Sequence, residues 1–523
     1  MSLQNKKSPK TANTTNFPKA FLETPPRIPR QNLLKKIGEL GQREGIEVYA
    51  VGGFVRDWLL QRPIDEVDLV VVGDGPAFAR KVADMLGLRP SKKTPKWPVV
   101  FEAFGTAMLQ HRGTRLEFVG ARKEAYRTAS RKPVVTPGSL EDDLLRRDFT
   151  INALVMVLES KNFGQIIDRY HGLDDLEQKI IRTPADPEKA FSDDPLRILR
   201  AIRFASQLHF GIARPVLEAM SSMKERLAIV SQERITEELR KILITSKPSV
   251  GFKLMFMTGV LDIVLPELAS CHGVETREEY GHKDVFEHTL RVVDRVAELT
   301  KDPEQTDPMI RELEMVLELE SLQKKREILL WAALFHDIAK PRTKRFVPGS
   351  GWTFYGHEEG GARMMGGIGR ILKLPLDIIQ QGQQIIRLHM RPIHLAEEGV
   401  TDSAIRRIIV DSGDKLDALL TLCRADITSG NPKKIKRYVQ AFNQLVHRLM
   451  EVLEKDKLRA FQSPVRGDEI MEITGLNPGP MVGKLKTMIE EAILEGQIPN
   501  QYDAAREYLL SIKDEVMQSG DGQ

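Results

Sequence analysis

Acidic side chains at the start of a predicted strand are the first groups in the chain whose spacing suits chemistry. The chain reads Asp65-Glu66-Val67-Asp68 before the apolar run at residues 69–72. Because side chains alternate between the two faces of a strand, Glu66 and Asp68 share one face and Asp65 and Val67 share the other. Two carboxylates on one face suit one or two divalent metal ions. The spacing therefore predicts Glu66 and Asp68 as a metal-binding pair.

A paired-glycine turn precedes these acids. Gly52 and Gly53 follow a short predicted strand and open one helical turn that carries Arg56 and Asp57. Paired glycines let backbone amides approach a phosphate closely at a helix start, where the helix dipole favours anions. Together with the acidic pair, this turn predicts a site for a nucleoside triphosphate.

A second set of charged residues lies at helical spacing further along the chain. Asp194, Arg197 and Arg200 lie three apart on a helix predicted to begin near Pro195. Taken alone, this spacing predicts an ordinary ion pair on an exposed helix, which contributes about 0.2–0.5 kcal/mol.

Several of these segments carry a family resemblance. Residues 49–74 resemble motif A of the bacterial class II tRNA nucleotidyltransferases, which are the CCA-adding enzymes and their poly(A) polymerase relatives within the polymerase-beta-like superfamily. The string RRDFTINA, which starts at Arg146, resembles motif B, whose members contact the nucleotide sugar and phosphates. The segment around Asp194 resembles motif D, whose acid and arginine act as a protein template for the incoming base. Cytosine and adenine both present an exocyclic amine beside a ring nitrogen that accepts a hydrogen bond, so a carboxylate and a guanidinium fit that edge and oppose guanine and uracil.

The resemblance assigns roles to individual residues. It implies Glu117, on a later strand, as the third acid beside Glu66 and Asp68, with Mg²⁺ as the metal ion. The family usually has Asp-x-Asp where this chain has Glu66-Val67-Asp68, so either the backbone compensates, or Asp65 takes part, or activity is reduced. The implied nucleotide-binding residues are Gly52, Gly53, Arg56, Asp57, Arg147, Asp148, Asn152, Asp194, Arg197 and Arg200. Asp168 and Gly172 resemble part of motif C, a hinge between head and neck.

A set of histidines and acids follows in apolar, helix-like surroundings. Imidazole and carboxylate together suit divalent ions such as Mn, Ni, Zn or Mg. The ordered set resembles the HD phosphohydrolase domain that some CCA-adding enzymes carry behind the neck. The resemblance implies a divalent metal of unspecified identity, with a ligand core of His288, His336, Asp337 and Asp426, and His357 and His389 as candidate ligands of a second ion.

The resemblance also implies the architecture. We expect an α+β fold with a polymerase-beta-like nucleotidyltransferase head, an all-helical neck, an HD domain and a helical tail. The predicted segments are a disordered tail at 1–28, the head at 29–157, the neck with the base-recognition motif at 158–246, the helical body with the HD domain at 247–456, and the C-terminal tail at 457–523. Residues 121–141, which are basic and broken by prolines, are predicted to form a mobile loop.

Composition limits the function classes. The chain has 523 residues, of which 41% are hydrophobic and 29% are charged, which is typical of a soluble globular protein of about three or four domains. No apolar run approaches the roughly 20 residues that a membrane helix needs. Cys271 and Cys423 are the only cysteines, which argues against a disulfide scaffold and favours the cytoplasm. The net charge of +4 permits a local basic face for RNA.

The sequence therefore predicts CCA addition to tRNA 3′ ends from CTP and ATP. Three alternatives remain open. The chain could be a poly(A) polymerase or an enzyme that adds only CC or only A. The HD domain could be the main activity, as a metal-dependent phosphohydrolase. Glu66 could have disabled the head and left an RNA-binding protein. The oligomeric state is not predicted.

Overall fold

The structure, a computed structural model, describes residues 26–89, 98–101, 105–127, 130–274, 284–349, 351–398, 401–428, 431–456 and 463–518. The disordered tail predicted for residues 1–28 lies outside this set except for residues 26–28. The chain divides into two compact units. One comprises the chain through Ile242 together with Lys253–Val264, and the other comprises Leu243–Phe252 and the chain from Leu265 onward.

Most strands lie in the first unit. The strands are β1 (Val48–Val51), β2 (Glu66–Val71), β3 (Val99–Phe101), β4 (Thr106–His111), β5 (Thr114–Gly120), β6 (Arg122–Arg127), β7 (Ser130–Pro137), β8 (Val155–Val157), β9 (Ile166–Ile167), β10 (Ile180–Ile181), β11 (Gly211–Ile212), β12 (Arg345–Val347) and β13 (Gly351–Thr353). Seven of them form one mixed sheet in the order β3-β4-β5-β2-β1-β8-β9.

Helices account for most of the remaining described chain. They are α1 (Gln31–Glu44), α2 (Gly53–Leu59), α3 (Gly75–Met85), α4 (Leu140–Leu145), α5 (Gly172–Gln178), α6 (Pro187–Asp193), α7 (Leu196–Leu208), α8 (Arg214–Met223), α9 (Gln232–Leu243), α10 (Pro248–Met257), α11 (Leu261–Val264), α12 (Pro266–Ala269), α13 (Val285–Leu299), α14 (Pro308–Val316), α15 (Leu322–Phe335), α16 (Lys340–Thr343), α17 (His357–Ile371), α18 (Leu376–Leu388), α19 (Met390–Glu398), α20 (Asp402–Ser412), α21 (Leu416–Asp426), α22 (Pro432–Asp456), α23 (Gly467–Thr474), α24 (Pro480–Leu494) and α25 (Tyr502–Gln518). Short 3₁₀ helices lie between them, at Thr150–Asn152, Ser160–Asn162, Lys224–Ile229, Pro303–Gln305 and Gly413–Lys415.

The sheet forms because its strands have apolar faces to bury. In β2, Val67 and Leu69 are fully buried, while Glu66 and Asp68 are only partly buried, as the alternation predicts. Helix α3 packs on β4 and β5, where Phe78 meets Phe118 at a ring-centroid distance of 6.2 Å. The α+β architecture predicted from the sequence is confirmed. The face of β2 and β5 that carries Leu69 and Phe118 is buried, and the acids of both strands project from the opposite face.

Two details differ from the prediction. The segment expected to be a loop forms the antiparallel ribbon β6–β7 instead, with residues 128–129 outside the described part. The prolines that suggested a loop, Pro133 and Pro137, lie within β7, and a two-stranded ribbon outside the main sheet tolerates proline because its edges are unpaired. The short pairs β10–β11 and β12–β13 also interrupt the otherwise helical neck and body.

The second unit is built from helices. Its core includes Trp331 and Phe335 on α15, which stack with ring centroids 5.7 Å apart. Helix α15 packs against α13, α18 and α21, so that polar residues at the end of α15 are enclosed by neighbouring helices. None of the described helices is both long enough and apolar enough to cross a bilayer.

Candidate functional site

Two parallel neighbouring strands bring carboxylates together in the first unit. Asp68 on β2 is in register with Glu117 on β5, and Glu66 lies two residues before Asp68. One carboxylate oxygen from each of these residues lies within 4.8 Å of the others. We call these three residues the carboxylate cluster. A donor set of oxygens alone fits a hard divalent cation such as Mg²⁺. All three predicted acids therefore converge, and Asp65 is not part of the group.

The electrostatics of the carboxylate cluster also favour a cation. Burial raises the pKa of Asp68, and the nearby guanidinium of Arg147 opposes that rise. Burial and the charge of Asp68 raise the pKa of Glu117. Arg115, the register partner of Glu66, forms an ion pair with it, which the sequence analysis did not predict. Crowded acids become easier to protonate, and a divalent ion would remove that repulsion.

The glycine pair approaches the carboxylate cluster closely. Gly52 has φ 69°, and a Cβ at this position would lie 2.9 Å from Nη1 of Arg147 and 3.1 Å from Oδ2 of Asp68. The Gly53 amide donates a hydrogen bond to Asp68. Only a residue without a side chain fits there, because both the conformation and the space exclude a Cβ. In this structure the glycine pair positions the carboxylate of Asp68.

Five of the predicted nucleotide-binding residues form one chain of hydrogen bonds. Arg56 pairs with Asp57 at 2.6 Å and donates to Oδ1 of Asn152 at 2.7 Å. Asn152 donates to Oδ1 of Asp148 at 2.9 Å, and Arg200 donates to Oδ2 of Asp148 at 2.8 Å. Burial would raise the pKa of Asp148, but Arg200 and the Asn152 hydrogen bond lower it well below its usual range. Asp148 is therefore a charged anchor that orients an arginine and an amide.

An aromatic ring holds three guanidinium groups close together. The guanidinium carbons of Arg56, Arg200 and Arg203 lie 4.9, 5.6 and 4.1 Å from the ring centroid of Phe204. Arg203 also pairs with Glu238 at 2.7 Å. Cation–π contact on one ring offsets the repulsion between neighbouring cations. This concentration of positive charge suits a triphosphate, and neither Arg203 nor Glu238 was predicted.

Asp194 and Arg197, which were predicted to read the base, are close in sequence but do not pair with each other. Oδ2 of Asp194 accepts a hydrogen bond from Arg234 at 3.2 Å. Arg197 donates instead to the backbone carbonyls of Ala190, at 3.3 Å, and of Arg146. Helix α9, to which the sequence analysis gave no chemistry, therefore supplies Arg234 as a partner for Asp194. Their role as a template stays a prediction.

A buried carboxylate anchors the two arginines of the motif B string. Asp143 is fully buried at the end of α4, where it accepts from Arg147 at 3.0 Å and pairs with Arg146. Because Arg147 also approaches Gly52, this buried acid fixes an arginine beside the carboxylate cluster. Asp143 was not predicted, although it lies four residues before Arg147 in the run of acids that precedes the string.

Asp168 and Gly172 have a structural explanation. Oδ1 of Asp168 accepts from the amides of Tyr170 at 3.2 Å and Gly172 at 3.0 Å, and Oδ2 accepts from Leu173 at 2.9 Å. A Cβ on Gly172 would lie only 2.3 Å from the carbonyl oxygen of Thr150. The start of α5 therefore packs directly against the 3₁₀ helix that carries Asn152.

We expect Gly172→Ala to destabilise the first unit by about 1–3 kcal/mol, because the added methyl must displace backbone. Thermal unfolding followed by circular dichroism measures the change. Gly211→Ala is the matched control in the same unit, since its Cβ would lie 3.9 Å from the nearest atom, the carbonyl oxygen of Lys179. Equal unfolding temperatures for the two variants would contradict the close packing.

The second unit gathers the predicted histidines and acids into one place. His288, His336 and Asp426 offer ligand atoms within 4.8 Å of one another, and Asp337, His357 and His389 form a second such group. Asp337 contacts both groups, with Oδ2 at 3.3 Å from His336 and Oδ1 at 3.4 Å from His357. We call these six residues the histidine centre. The structure brings all six predicted residues together but divides them differently from the sequence analysis, because Asp337 joins the second group.

The backbone sets the tautomer of the buried imidazoles. The Nδ1 atoms of His336, His357 and His389 face carbonyl oxygens of Ala333, Phe354 and Ile386 at 2.8, 2.9 and 2.6 Å. Each Nδ1 therefore donates, so a neutral imidazole carries its lone pair on Nε2. Burial opposes protonation of His336, but the adjacent Asp337 carboxylate raises its pKa. Within the described part of the chain, these Nε2 atoms and Oδ1 of Asp337 are buried without a hydrogen-bond partner. Buried acceptors aimed at one another fit a metal ion.

The charges of the histidine centre are consistent with metal ligands. Burial lowers the pKa of His389 to about 3, so this imidazole is neutral at physiological pH. Burial opposes ionisation of Asp337, but His336 and Lys340 lower its pKa well below the usual range. Nζ of Lys340 lies 2.7 Å from Oδ2 of Asp337. Lys340 was not predicted, although it lies three residues after Asp337, one helical turn away.

Family models match three successive parts of the chain. Residues 48–182 match the poly(A) polymerase head domain, and residues 209–271 match the probable RNA- and SrmB-binding site of polymerase A. Residues 285–419 match the HD domain. The carboxylate cluster lies within the first match, and most of the histidine centre lies within the third.

Curated relatives align along most of their length. The A-adding tRNA nucleotidyltransferase of Deinococcus radiodurans is 29% identical, over 87% of this chain and 93% of the relative. The CC-adding tRNA nucleotidyltransferase of Thermus thermophilus is 30% identical, over 89% of this chain and 93% of the relative. The multifunctional CCA protein of Haemophilus influenzae is 30% identical, over 78% of this chain and 91% of the relative. These relatives differ in the nucleotides that their names specify.

A solved structure shares the fold. The CCA-adding enzyme of Bacillus stearothermophilus in complex with CTP superimposes with a TM-score of 0.60 at 23% identity, covering 94% of this chain and 99% of that one. At this identity the likeness concerns the fold, and both compact units have counterparts in it.

Proposed function

Because the chain belongs to the family of tRNA nucleotidyltransferases and poly(A) polymerases, we propose that it adds the CCA sequence to tRNA 3′ ends from CTP and ATP. The convergence of Glu66, Asp68 and Glu117 on in-register strands carries this proposal. We place the reaction in the cytoplasm, where a chain with only two cysteines and tRNA as its substrate would work.

The carboxylate cluster would hold the metal ions of nucleotidyl transfer. Glu66, Asp68 and Glu117 would bind Mg²⁺ through their convergent oxygens. Bound Mg²⁺ would supply the Lewis acidity that activates the RNA 3′-hydroxyl and offsets charge on the leaving pyrophosphate. Gly53 and Arg147 hold Asp68 in place, through an amide hydrogen bond and an opposite charge. The rigid strands keep these oxygens in one geometry throughout the reaction.

Arg56 and Arg200, which we call the cationic network, would bind the triphosphate. Arg56 and Arg200 are held on the Phe204 ring and oriented by Asn152 and Asp148. Guanidinium groups bind phosphate through parallel hydrogen bonds and stay charged at all working pH values. Since Asp148 is buried and charged, it would keep Arg200 oriented before the nucleotide arrives. The network therefore provides preorganised positive charge.

Base selection would use Asp194 and Arg197. A carboxylate that accepts from the exocyclic amine, with a guanidinium that donates to the ring nitrogen, fits cytosine and adenine alike. By analogy with base readout in grooves, each good pair contributes roughly 1–3 kcal/mol of discrimination. Arg197 would exchange its backbone carbonyl partners for the base, and Asp194 would exchange Arg234. This exchange lets one site accept both nucleotides in turn.

Primer extension tests which nucleotides are added. We expect a tRNA transcript that lacks CCA to gain three nucleotides with CTP plus ATP and then stop. CTP alone should add two nucleotides, and ATP alone should extend only a transcript that already ends in CC. Denaturing gels at single-nucleotide resolution measure each product. Growth that stops after CC, or that occurs only on CC-ended primers, would instead assign the partial specificities named for the relatives. A long ladder with ATP alone would assign a poly(A) polymerase.

The histidine centre supports a second function. We propose that it is a metal-dependent phosphohydrolase with RNA 2′,3′-cyclic phosphate ends as candidate substrate. The buried Nε2 atoms of His336, His357 and His389, which find no hydrogen-bond partner among the described residues, carry this proposal. A divalent metal held there would acidify a water for attack on a phosphoester. Lys340 would place a positive charge beside the scissile phosphate while it pairs with Asp337.

A further inference from the structure

The segment between two residues of the histidine centre has an unusual composition. Residues 340–349 and 351–356, which we call the aromatic ribbon, lie between Asp337 and His357. They carry the cations Lys340, Arg342, Lys344 and Arg345, and the aromatic residues Phe346, Trp352, Phe354 and Tyr355, with no acidic residue. Cations that lie beside aromatic rings are typical of surfaces that bind single-stranded nucleic acid.

Three of the four aromatic side chains of the aromatic ribbon are exposed to solvent. Strands β12 and β13 pair with each other, which places Phe346 opposite Trp352. The centroids of the two rings lie 5.4 Å apart. Phe346 is 62% exposed, Trp352 is 41% exposed and Tyr355 is 80% exposed. Nζ of Lys344 lies 4.7 Å from the centroid of Trp352. A cluster of exposed apolar side chains marks an interaction site, and here the cluster lies beside a cation.

The ends of the aromatic ribbon are bonded to the histidine centre. Nδ1 of His357 donates to the carbonyl oxygen of Phe354 at 2.9 Å. Lys340 bridges the two ends, because its Nζ lies 2.7 Å from Oδ2 of Asp337 and 5.8 Å from the Phe354 ring centroid. Trp352 precedes Phe354 by two residues, which is about 7 Å of extended chain. A base stacked on the ribbon would therefore lie within a few residues' length of the metal ligands.

We propose that the aromatic ribbon binds single-stranded RNA by base stacking and presents its 3′ end to the histidine centre. Phe346 and Trp352 supply the stacking faces, and the neighbouring cations bind the backbone phosphates. A stacking platform accepts any base, because every base has a π-face. The hydrolytic outcome rests on the second proposed function, whereas RNA binding at the ribbon does not.

Binding to the full-length protein tests this proposal. The probe is a fluorescein-labelled single-stranded RNA of about ten nucleotides, followed by anisotropy and by quenching of tryptophan fluorescence. We expect Phe346→Ala with Trp352→Ala to raise the Kd about tenfold, since stacking contributes about 1–3 kcal/mol per base. Trp352→Phe should keep the affinity and lose the quenching. Met315→Ala, which changes a side chain that is 73% exposed elsewhere in the same unit, is the matched control.

The possible results separate the ribbon from the hydrolase. Metal content per chain, measured on the same samples, should be unchanged in the ribbon variants if the rings only bind RNA. RNA affinity unchanged within twofold would overturn the proposal, as would a change in self-association measured by sedimentation with no change in RNA affinity. Weaker RNA binding without any hydrolysis by the wild-type protein would support the ribbon and reject the phosphohydrolase.

Discussion

Asp68→Asn is expected to lower nucleotide addition to tRNA about a thousandfold, because several kcal/mol of charge stabilisation depends on a metal ion held by this carboxylate. Asp68 is in register with Glu117, and its oxygens face both partners in the carboxylate cluster. Asparagine keeps the size of the side chain and the Gly53 hydrogen bond while it removes the charge. Single-turnover incorporation of CTP into a transcript lacking CCA measures the loss.

Asp65→Asn is the control for this change. Asp65 is exposed, lies three residues before Asp68 and is not part of the carboxylate cluster, although its backbone carbonyl accepts from Arg115. We expect its rate to stay within about threefold of the wild-type rate, which corresponds to less than about 0.7 kcal/mol. Equal losses in both variants would place the metal ion on the turn before β2. Undiminished incorporation by Asp68→Asn would reject the metal-dependent head as the source of activity.

The face of each acid on β2 could be predicted from the sequence, but the neighbours of those acids could not. A period of two places Glu66 and Asp68 together regardless of which strand lies beside them. The pairing of β2 with β5 joins residues about fifty positions apart, and the same alternation fits more than one register. The position of Glu117 therefore came from the family resemblance. The ion pair between Glu66 and Arg115 follows from the same register and was missed.

Buried anchors were the least predictable part of both sites. Asp143 and Glu238 look like ordinary helical acids in the sequence. Asp143 pairs with Arg147 four residues later, whereas Glu238 meets Arg203 only through tertiary packing. The proline-rich segment that forms β6–β7 illustrates the same limit, because local turn signals there outweighed the strand-forming residues. The histidines were found because they lie in apolar helical surroundings, but their grouping depends on how α13, α15, α17 and α18 pack.

Asp337→Asn is expected to remove metal from the histidine centre, because the Asp337 carboxylate contacts ligand atoms of both groups there. The variant should lose bound Mn²⁺ after dialysis, measured by elemental analysis, and should lose chelation-sensitive cleavage of an RNA 2′,3′-cyclic phosphate by at least about a hundredfold. It also leaves Lys340 without its carboxylate, and breaking a buried pair costs about 3–5 kcal/mol. Thermal unfolding therefore has to accompany the metal measurement.

His389→Gln separates metal loss from destabilisation. It removes a neutral ligand whose Nε2 is buried, and it keeps the pair between Asp337 and Lys340 intact. The control is Asp377→Asn, which changes an exposed side chain on α18, the helix that ends immediately before His389. This variant should retain metal. If His389→Gln loses metal and hydrolysis at an unchanged unfolding temperature, while CTP incorporation continues, the histidine centre is a separate catalytic site. If it keeps both metal and hydrolysis, His389 is a neutral core residue, and the metal ligands are the other residues of the histidine centre.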